Sequence, residues 1–140
     1  MDPKAVFYPM IALALVTFSV LLLIPFVRFR AVLRERATAE DFKLGESAKV
    51  PDDVRIPNRN YMNLLELPML FYVVCLAFFV TGQVDGVLLT LCWIYVGLRV
   101  IHSAIHLTYN HVLHRLSAFA ASNVVLLTLW LRFLFALRGQ

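Results

Sequence analysis

Two short runs of the sequence combine ionisable, amide and imidazole side chains at the spacing of one helical face. The runs consist of Arg59, Asn63 and Glu66, and of Arg99, His102 and His106. Side chains three or four residues apart in a helix lie on the same face, so each run predicts one polar stripe. Guanidinium, carboxylate and amide groups that converge in a pocket can bind a small anionic ligand through charge and hydrogen bonds.

Both stripes lie within apolar sequence, where a charged side chain requires an internal partner. We expect Arg99 to pair with Glu66, and this ion pair taken alone could be purely structural. The two histidines also have the spacing of a metal pair, but no third ligand is evident, so we expect no metal site. Arg115, which follows Tyr109 and Asn110, adds a cation beyond the second stripe.

The composition of the chain predicts that these stripes belong to a membrane protein. Of the 140 residues, 61% are hydrophobic and 16% are charged, and the mean hydropathy is +0.76. Soluble domains average about 45–50% apolar and about 25% charged residues, so a soluble globule and a disordered chain are both disfavoured. The length corresponds to a single domain, residues 1–140.

Four apolar stretches are long enough to cross about 30 Å of hydrocarbon as helices. They comprise residues 6–27, 61–80, 87–107 and 116–137. These stretches predict an all-α fold, an integral-membrane four-helix bundle. The second and third spans are joined by a short turn, so they pack antiparallel and bring the two polar stripes together.

The distribution of basic residues predicts the orientation in the membrane. The long connection, residues 28–60, contains eight Lys or Arg residues, whereas the turn at 81–86 contains none. Because Lys and Arg accumulate on the cytoplasmic side, we expect both termini outside and the polar stripes open towards the cytoplasm. The net charge of +4 then belongs to the membrane flanks, and no motif indicates binding to nucleic acid.

Nearly the whole chain resembles the MAPEG family, the membrane-associated proteins in eicosanoid and glutathione metabolism. The size, the four spans, the long first loop and the short outward turn all agree with that family. The sharpest similarity is the run Arg59-x-x-x-Asn63-x-x-Glu66-x-Pro68, which looks like the family's second-span signature.

Two further runs resemble the prostaglandin E synthase of the same family. Arg99-x-x-His102, followed by Arg115, is similar to the third-span region of that enzyme. Arg30, with Asp41 eleven residues later, looks like the exit from its first span. We expect the chain to be a bacterial-type member of the family and to lie in the bacterial inner membrane.

The resemblance implies a homotrimer that binds glutathione, as a co-substrate, between neighbouring subunits near the cytosolic side. Family positions matching Arg59, Asn63 and Glu66 bind the carboxylates and amino group of the tripeptide. The position matching Arg30 reaches in from the first span. The two histidines of the second stripe are assigned to the same pocket.

The position matching Arg115 lies beside the sulfur in the family and is thought to favour the thiolate. This role is physically reasonable, because the thiolate is the nucleophile and a nearby guanidinium lowers the pKa of a thiol. Arginine also keeps its charge near hydrocarbon better than lysine does. We therefore predict that Arg115 is the catalytic residue.

The chain departs from the family at the sulfur end of the pocket. His106 stands where the family has a tyrosine that contacts glutathione, Phe119 replaces an aromatic hydroxyl, and Leu116 replaces a hydroxyl residue. Tyr109 and Asn110 could compensate for these losses. Whether Tyr109, Asn110 and Asp41 join the site stays open.

These features leave two principal functions. The first is a membrane-bound, glutathione-dependent transferase or peroxidase that acts on lipophilic electrophiles arriving from the bilayer. The alternative is a non-catalytic scaffold of the same fold, or a small-anion binder, whose polar stripes are structural. A proton-coupled carrier is less favoured, because the sequence has no visible internal repeats or broken helices of the kind that transporters use.

Overall fold

The computed structural model describes residues 2–43 and 45–138, and within them all regular secondary structure is helical. The α-helices are α1 (Phe7–Leu33), α2 (Asp52–Leu65), α3 (Pro68–Val80), α4 (Gly86–Leu107) and α5 (Val112–Arg138). Short 3-10 helices cover Pro3–Val6 and Ala39–Phe42. Because α2 and α3 follow one another as parts of one span, the chain forms a four-helix bundle.

Four segments are long and apolar enough to cross a membrane, which confirms the predicted fold class. These segments are Pro3–Leu33, Asp52–Val80, Gly86–Leu107 and Val112–Arg138. Large apolar side chains such as Leu22, Phe29 and Leu127 are exposed on the outside of the bundle. Such a surface fits hydrocarbon rather than water, since exposed apolar patches of this extent are rare on soluble monomers.

The two ends of the bundle differ in structure. One end, here called the loop end, carries the α1–α2 connection and the short α4–α5 turn. Because α1 continues to Leu33 and α2 begins at Asp52, the non-helical part of the first connection is shorter than the polar segment 28–60. Two ion pairs hold the loop against the helices. Arg28 of α1 pairs with Glu46 at 3.0 Å, and Arg36 donates two hydrogen bonds, of 2.8 and 2.9 Å, to the carboxylate of Asp53 in α2.

The other end, here called the turn end, carries the α3–α4 turn. Asp85 precedes α4 and its carboxylate accepts a 2.7 Å hydrogen bond from the Leu88 backbone N–H, which is a standard N-cap. The same carboxylate accepts a 2.8 Å hydrogen bond from Arg132 of α5. Gly82 has a φ of +69°, which lets the chain leave α3 in the left-handed region.

The second span is interrupted between α2 and α3, so the sequence-based expectation of no broken helix is wrong. Pro68 is the first residue of α3 and has no N–H, so it cannot continue the hydrogen bonds of α2. Helix α2 therefore ends at Leu65 with unpaired carbonyl groups in its last turn. Arg99 of α4 donates a hydrogen bond to one of them, the backbone carbonyl of Asn63. A cation at a helix C-terminus also interacts favourably with the helix dipole.

The core between α3 and α4 is aromatic and sulfur-rich. Phe71 and Tyr95 stack with their ring centroids 4.6 Å apart. Cys75 and Cys92 are both buried and free, with their Sγ atoms 3.6 Å apart. The thiols thus pack as small side chains within the hydrophobic core. This packing holds α4, which carries the second polar stripe, in a fixed position beside the broken span.

Candidate functional site

A cleft of about 730 Å³ opens at the loop end between α2, α4 and α5. Its polar lining comprises Asp52, Arg55, Arg59, Asn63, Glu66, His102, His106, Asn110 and Arg115. Its apolar lining comprises Ile56, Met62, Val112, Leu116 and Phe119. This volume lies within the range of small-molecule sites, which is about 300–1,000 Å³. The structure therefore brings the first polar stripe and both histidines to one cavity.

Helix α2 supplies the first polar wall. Arg59 and Glu66 are exposed to the cleft, and Asn63 is half-buried between them. The Asn63 side-chain amide donates a 2.9 Å hydrogen bond to the Arg59 backbone carbonyl, and among the described residues its side-chain oxygen accepts none. Asp52 and Arg55 lie at the start of the same helix and form a loose 3.7 Å pair at the mouth of the cleft.

Helix α4 supplies the second polar wall. His102 and His106 are each 2% exposed, with ring centroids 5.8 Å apart. On the same helix, Ser103 donates a 3.2 Å hydrogen bond to the buried side-chain oxygen of Asn60, which fixes α4 against α2. Among the described residues, the Nδ1 atoms of both histidines are buried and have no hydrogen-bond partner.

Arg115 reaches the cleft from the first turn of α5. Its guanidinium donates a 2.7 Å hydrogen bond to the side-chain oxygen of Asn110. Asn110 lies in the turn between α4 and α5 with a φ of 46°, a left-handed conformation that asparagine tolerates better than most residues. Its backbone N–H donates a 2.8 Å hydrogen bond to the Ile105 carbonyl, which caps α4. The turn thus anchors Arg115, and Asn110 joins the cleft.

Apart from Arg115, the third wall of the cleft, formed by α5, is apolar. Val112 and Leu116 are more than half exposed, so this wall continues onto the lipid-facing surface. Phe119 closes the inner end, with its ring centroid 5.7 Å from that of His102. The Arg99 guanidinium carbon lies 5.6 Å from the same Phe119 ring, directly behind the wall. The cleft therefore combines a polar side with an apolar side that is open to the membrane.

Arg99 does not form the expected ion pair with Glu66. Among the described residues, no salt bridge joins the two side chains, because Arg99 is fully buried and donates to the Asn63 carbonyl. Glu66 is instead exposed at the break between α2 and α3 and lines the cleft. The C-terminal end of α2 interacts favourably with the charge of Arg99, although Nε and Nη1 of Arg99 are buried without a hydrogen-bond partner among the described residues.

Arg30 lies apart from this cleft. It lines a second cleft of about 490 Å³ beside the end of α1, together with Arg34, Leu107 and Thr108. The remaining residues that the sequence left open lie elsewhere. Tyr109 is exposed, and its hydroxyl is 3.2 Å from Nδ1 of a neighbouring histidine rather than in the cleft.

Asp41 is a structural residue of the first loop. The Thr38 backbone N–H and hydroxyl donate to its carboxylate at 2.9 and 2.8 Å, and the Ser47 hydroxyl donates at 2.8 Å. These hydrogen bonds lower the pKa of Asp41 to about 2, and those from Thr38 contribute most. They stabilise the ionised form and hold residues of the loop around it.

We predict a loop opening at acid pH that depends on Asp41. A lowered pKa in the folded state means that the carboxylate stabilises the loop above its ordinary pKa of about 3.9. This contribution is lost as the pH falls through about 2. We expect protection of the Ser47 amide against hydrogen exchange to be intact at about pH 5 and lost near the folded-state pKa. Asp41→Asn should remove this pH dependence, and an unchanged profile in that variant would contradict the assignment.

Fold and site together define a class: a four-span membrane protein with a cation-rich cleft at one end and an apolar wall facing the bilayer. The chain belongs to the MAPEG family, whose sequence model matches residues 6–135. Members of this family are in general membrane proteins of glutathione-related transferase and peroxidase chemistry. No curated protein and no solved structure matches the chain.

Some lining residues were not recognised from the sequence. Asp52, Arg55 and Ile56 lie in helical sequence that was assigned to the polar connection, although their i, i+3 and i+4 spacing continues the Arg59 stripe. Asn110 was left open because its role depends on the left-handed turn. No sequence signal distinguished Asn60, whose buried contact with the second polar wall only the packing reveals.

Proposed function

We propose that this protein is a membrane-bound, glutathione-dependent transferase or peroxidase that acts on lipophilic electrophiles. The observation that carries this proposal is one cleft that joins the predicted cationic and carboxylate residues to an apolar wall. Glutathione has two carboxylates, one ammonium group and a thiol. The cleft offers three guanidinium groups for the carboxylates and the sulfur, and Glu66 for the ammonium group.

The roles of the individual residues follow from their places in the cleft. Arg59, with the free oxygen of Asn63 and the Glu66 carboxylate, holds the charged ends of the tripeptide. His102 and His106 contribute hydrogen bonds from the opposite wall. Arg115, anchored by its hydrogen bond to the turn, lies beside the sulfur and favours the thiolate. Holding thiolate and electrophile together in one cavity supplies much of the rate.

The second substrate arrives from the bilayer in this proposal. Leu116 is exposed and continues the apolar wall from the cleft to the outside of the bundle. A lipophilic molecule can therefore reach the thiolate along α5 without crossing water. The loop end faces the cytoplasm, where glutathione is present, and both termini lie on the opposite side.

A homotrimer completes the site in this proposal. Arg30 lines a separate cleft in its own protomer, so it can contact glutathione only from a neighbouring subunit. Its exposed position beside Arg34 agrees with such a role across an interface. Native mass spectrometry of the detergent-solubilised protein tests the trimer directly.

The experiment that tests the function first is equilibrium binding of glutathione to the purified, detergent-solubilised protein. We expect saturable binding that the double variant Arg59→Ala/Glu66→Ala weakens by roughly 100-fold or more, because two charge-assisted contacts are each worth about 1.5–3 kcal/mol. The matched control is Glu40→Ala/Lys43→Ala, which removes an exposed ion pair of the loop at the same net charge. Absent wild-type binding, or equal loss in both double variants, would favour the scaffold function.

A further inference from the structure

Arg115 has an uncharged partner, whereas several other arginines of the chain pair with carboxylates. Those that do so are Arg28, Arg36, Arg55 and Arg132. Among the described residues, no carboxylate forms a salt bridge with Arg115. Its guanidinium donates instead to the side-chain oxygen of Asn110, at 2.7 Å. The cation is therefore held by a contact that leaves its charge uncompensated.

The same cleft contains an arginine with the opposite arrangement. Arg55 lies 3.7 Å from the carboxylate of Asp52, which offsets part of its charge. A neutral amide oxygen fixes the direction of a guanidinium without cancelling that charge, because only an opposite charge does so. Of these two cations, Arg115 therefore keeps more of its attraction for an anion.

The backbone at position 110 restricts which residues can provide this contact. Asn110 has a φ of 46°, and its backbone N–H donates a 2.8 Å hydrogen bond to the Ile105 carbonyl at the end of α4. Gly, Asn and Asp are the residues that adopt the left-handed region most readily. Glycine has no side-chain acceptor, and aspartate would add a negative charge. Of the three, asparagine alone provides the turn and a neutral acceptor.

We propose that Asn110 is a positioning residue, which fixes Arg115 through a neutral hydrogen bond and so preserves the positive charge that stabilises the thiolate of bound glutathione. This inference rests on the proposed function, which places Arg115 beside the sulfur. When the thiol ionises, the S–H bond breaks, its electron pair stays on the sulfur and the proton passes to solvent. Arg115 stays protonated throughout. Asn110 acts through Arg115 and not on the sulfur.

The other ionisable groups of the cleft are the same in the wild-type protein and in variants of Asn110. They lie on α2 and α4 and comprise Asp52, Arg55, Arg59, Glu66, His102 and His106. A substitution at position 110 leaves all of them in the chain. A change in the pKa of the bound thiol therefore reports on the partner of Arg115.

The test is a pH titration of glutathione bound to the purified, detergent-solubilised protein, with the thiolate followed by its ultraviolet absorbance. For the wild-type protein we expect a thiol pKa below the ordinary value of about 8.5. Asn110→Asp keeps the left-handed turn and the acceptor but places a carboxylate against Arg115. We expect this variant to raise the pKa of the bound thiol by at least about 1 above the wild-type value, since one neighbouring charge commonly changes a pKa by about 1–3.

A second variant, Asn110→Gly, separates the hydrogen bond from the backbone conformation. Glycine adopts a positive φ without strain, so the turn is retained while Arg115 loses its acceptor. We expect kcat with a lipophilic electrophile to fall by about 10-fold or more, because a misplacement of about 1 Å can cost 10²-fold. KM for glutathione and the thermal unfolding midpoint should change little. In Asn110→Asp, by contrast, raising the pH above the higher thiol pKa should restore kcat towards the wild-type value.

Tyr109→Phe is the matched control in the same turn. It removes a hydroxyl that lies 3.2 Å from Nδ1 of His114, outside the lining of the cleft. We expect the thiol pKa and kcat of this variant to equal those of the wild-type protein. A loss of kcat equal to that of Asn110→Gly would show that the turn as a whole, rather than the contact with Arg115, is responsible.

The outcomes distinguish this inference from the proposed function. A wild-type thiol pKa in Asn110→Asp, or a wild-type kcat in Asn110→Gly, overturns the role of Asn110 while the binding of glutathione and the role of Arg115 stand. If the wild-type protein binds no glutathione, or if the bound thiol titrates at its ordinary pKa, the proposed function itself is contradicted and the inference fails with it.

Discussion

Arg115→Ala is expected to lower turnover with a lipophilic electrophile by about 10²–10³-fold, the usual loss when one electrostatic stabiliser of a developing anion is removed. Glutathione should still bind with nearly wild-type affinity. The proposed function assigns its carboxylates and ammonium group mainly to Arg59, Asn63 and Glu66, which lie on α2, whereas Arg115 lies on α5. Steady-state kinetics and equilibrium binding on the same preparation measure the two effects separately.

The interpretation of Arg115→Ala depends on a comparison with variants of other residues in the same cleft. Arg55→Ala removes a guanidinium that already pairs with Asp52 at the mouth, so we expect a much smaller effect on turnover. Asn110→Ala keeps Arg115 but removes its 2.7 Å hydrogen bond, and an intermediate loss is expected. If affinity and turnover fall equally in Arg115→Ala, the residue binds glutathione without acting at the sulfur, and its assigned role is wrong.

The second large effect is expected on stability, from Arg99→Ala. Arg99 is the largest fully buried side chain of the described structure, and its hydrogen bond caps the broken end of α2. The substitution leaves a cavity and strands the Asn63 carbonyl, so we expect the free energy of unfolding to fall by about 3–5 kcal/mol. Thermal unfolding in detergent, followed by circular dichroism, measures the change.

Two further variants identify the origin of this loss. Arg99→Met fills most of the volume but donates no hydrogen bond. The difference in unfolding free energy between Arg99→Met and Arg99→Ala therefore measures the contribution of packing. The difference between Arg99→Met and the wild-type protein measures the contribution of the cap. Arg132→Ala removes a partly exposed arginine whose ion pair with Asp85 lies at the turn end, and we expect at most about 1 kcal/mol. An Arg99→Ala variant as stable as Arg132→Ala would show that the cap is dispensable.

Much of the fold and the cleft could be predicted because both depend on local patterns. Hydropathy determines which stretches can span a membrane, and the four spans follow from it. Helical spacing places Arg59, Asn63 and Glu66 on one face, and a short turn makes the next helix antiparallel. Two stripes at the same depth on adjacent antiparallel helices then have to meet. These steps need no knowledge of packing.

The partner of Arg99 could not be predicted in the same way. Charge arguments favoured Glu66, since a buried cation commonly pairs with a carboxylate. The actual acceptor is a backbone carbonyl that becomes available only because Pro68 interrupts the span. Pro68 entered the sequence analysis as part of a motif, and its consequence for hydrogen bonding appears only when the end of α2 is located.

The position of Arg115 shows a similar limit. Its sequence placement after the third span was visible, but its direction depends on Asn110 in a left-handed turn. A single residue of that conformation leaves no periodic signal. Arg30 is the opposite case, because its place at the end of α1 was clear from sequence. The separation of Arg30 from the cleft becomes clear only from the packing of α2 between the end of α1 and the cleft.

The contact between Arg99 and the Asn63 carbonyl has a consequence for how this site can evolve. Every amino acid at position 63 carries the same carbonyl group, so substitutions there can leave the cap of α2 intact. The side chain at that position faces the cleft and is free to change with the ligand. Substitutions at this position can therefore change ligand recognition at little cost to folding. The fold and the ligand specificity can then evolve separately.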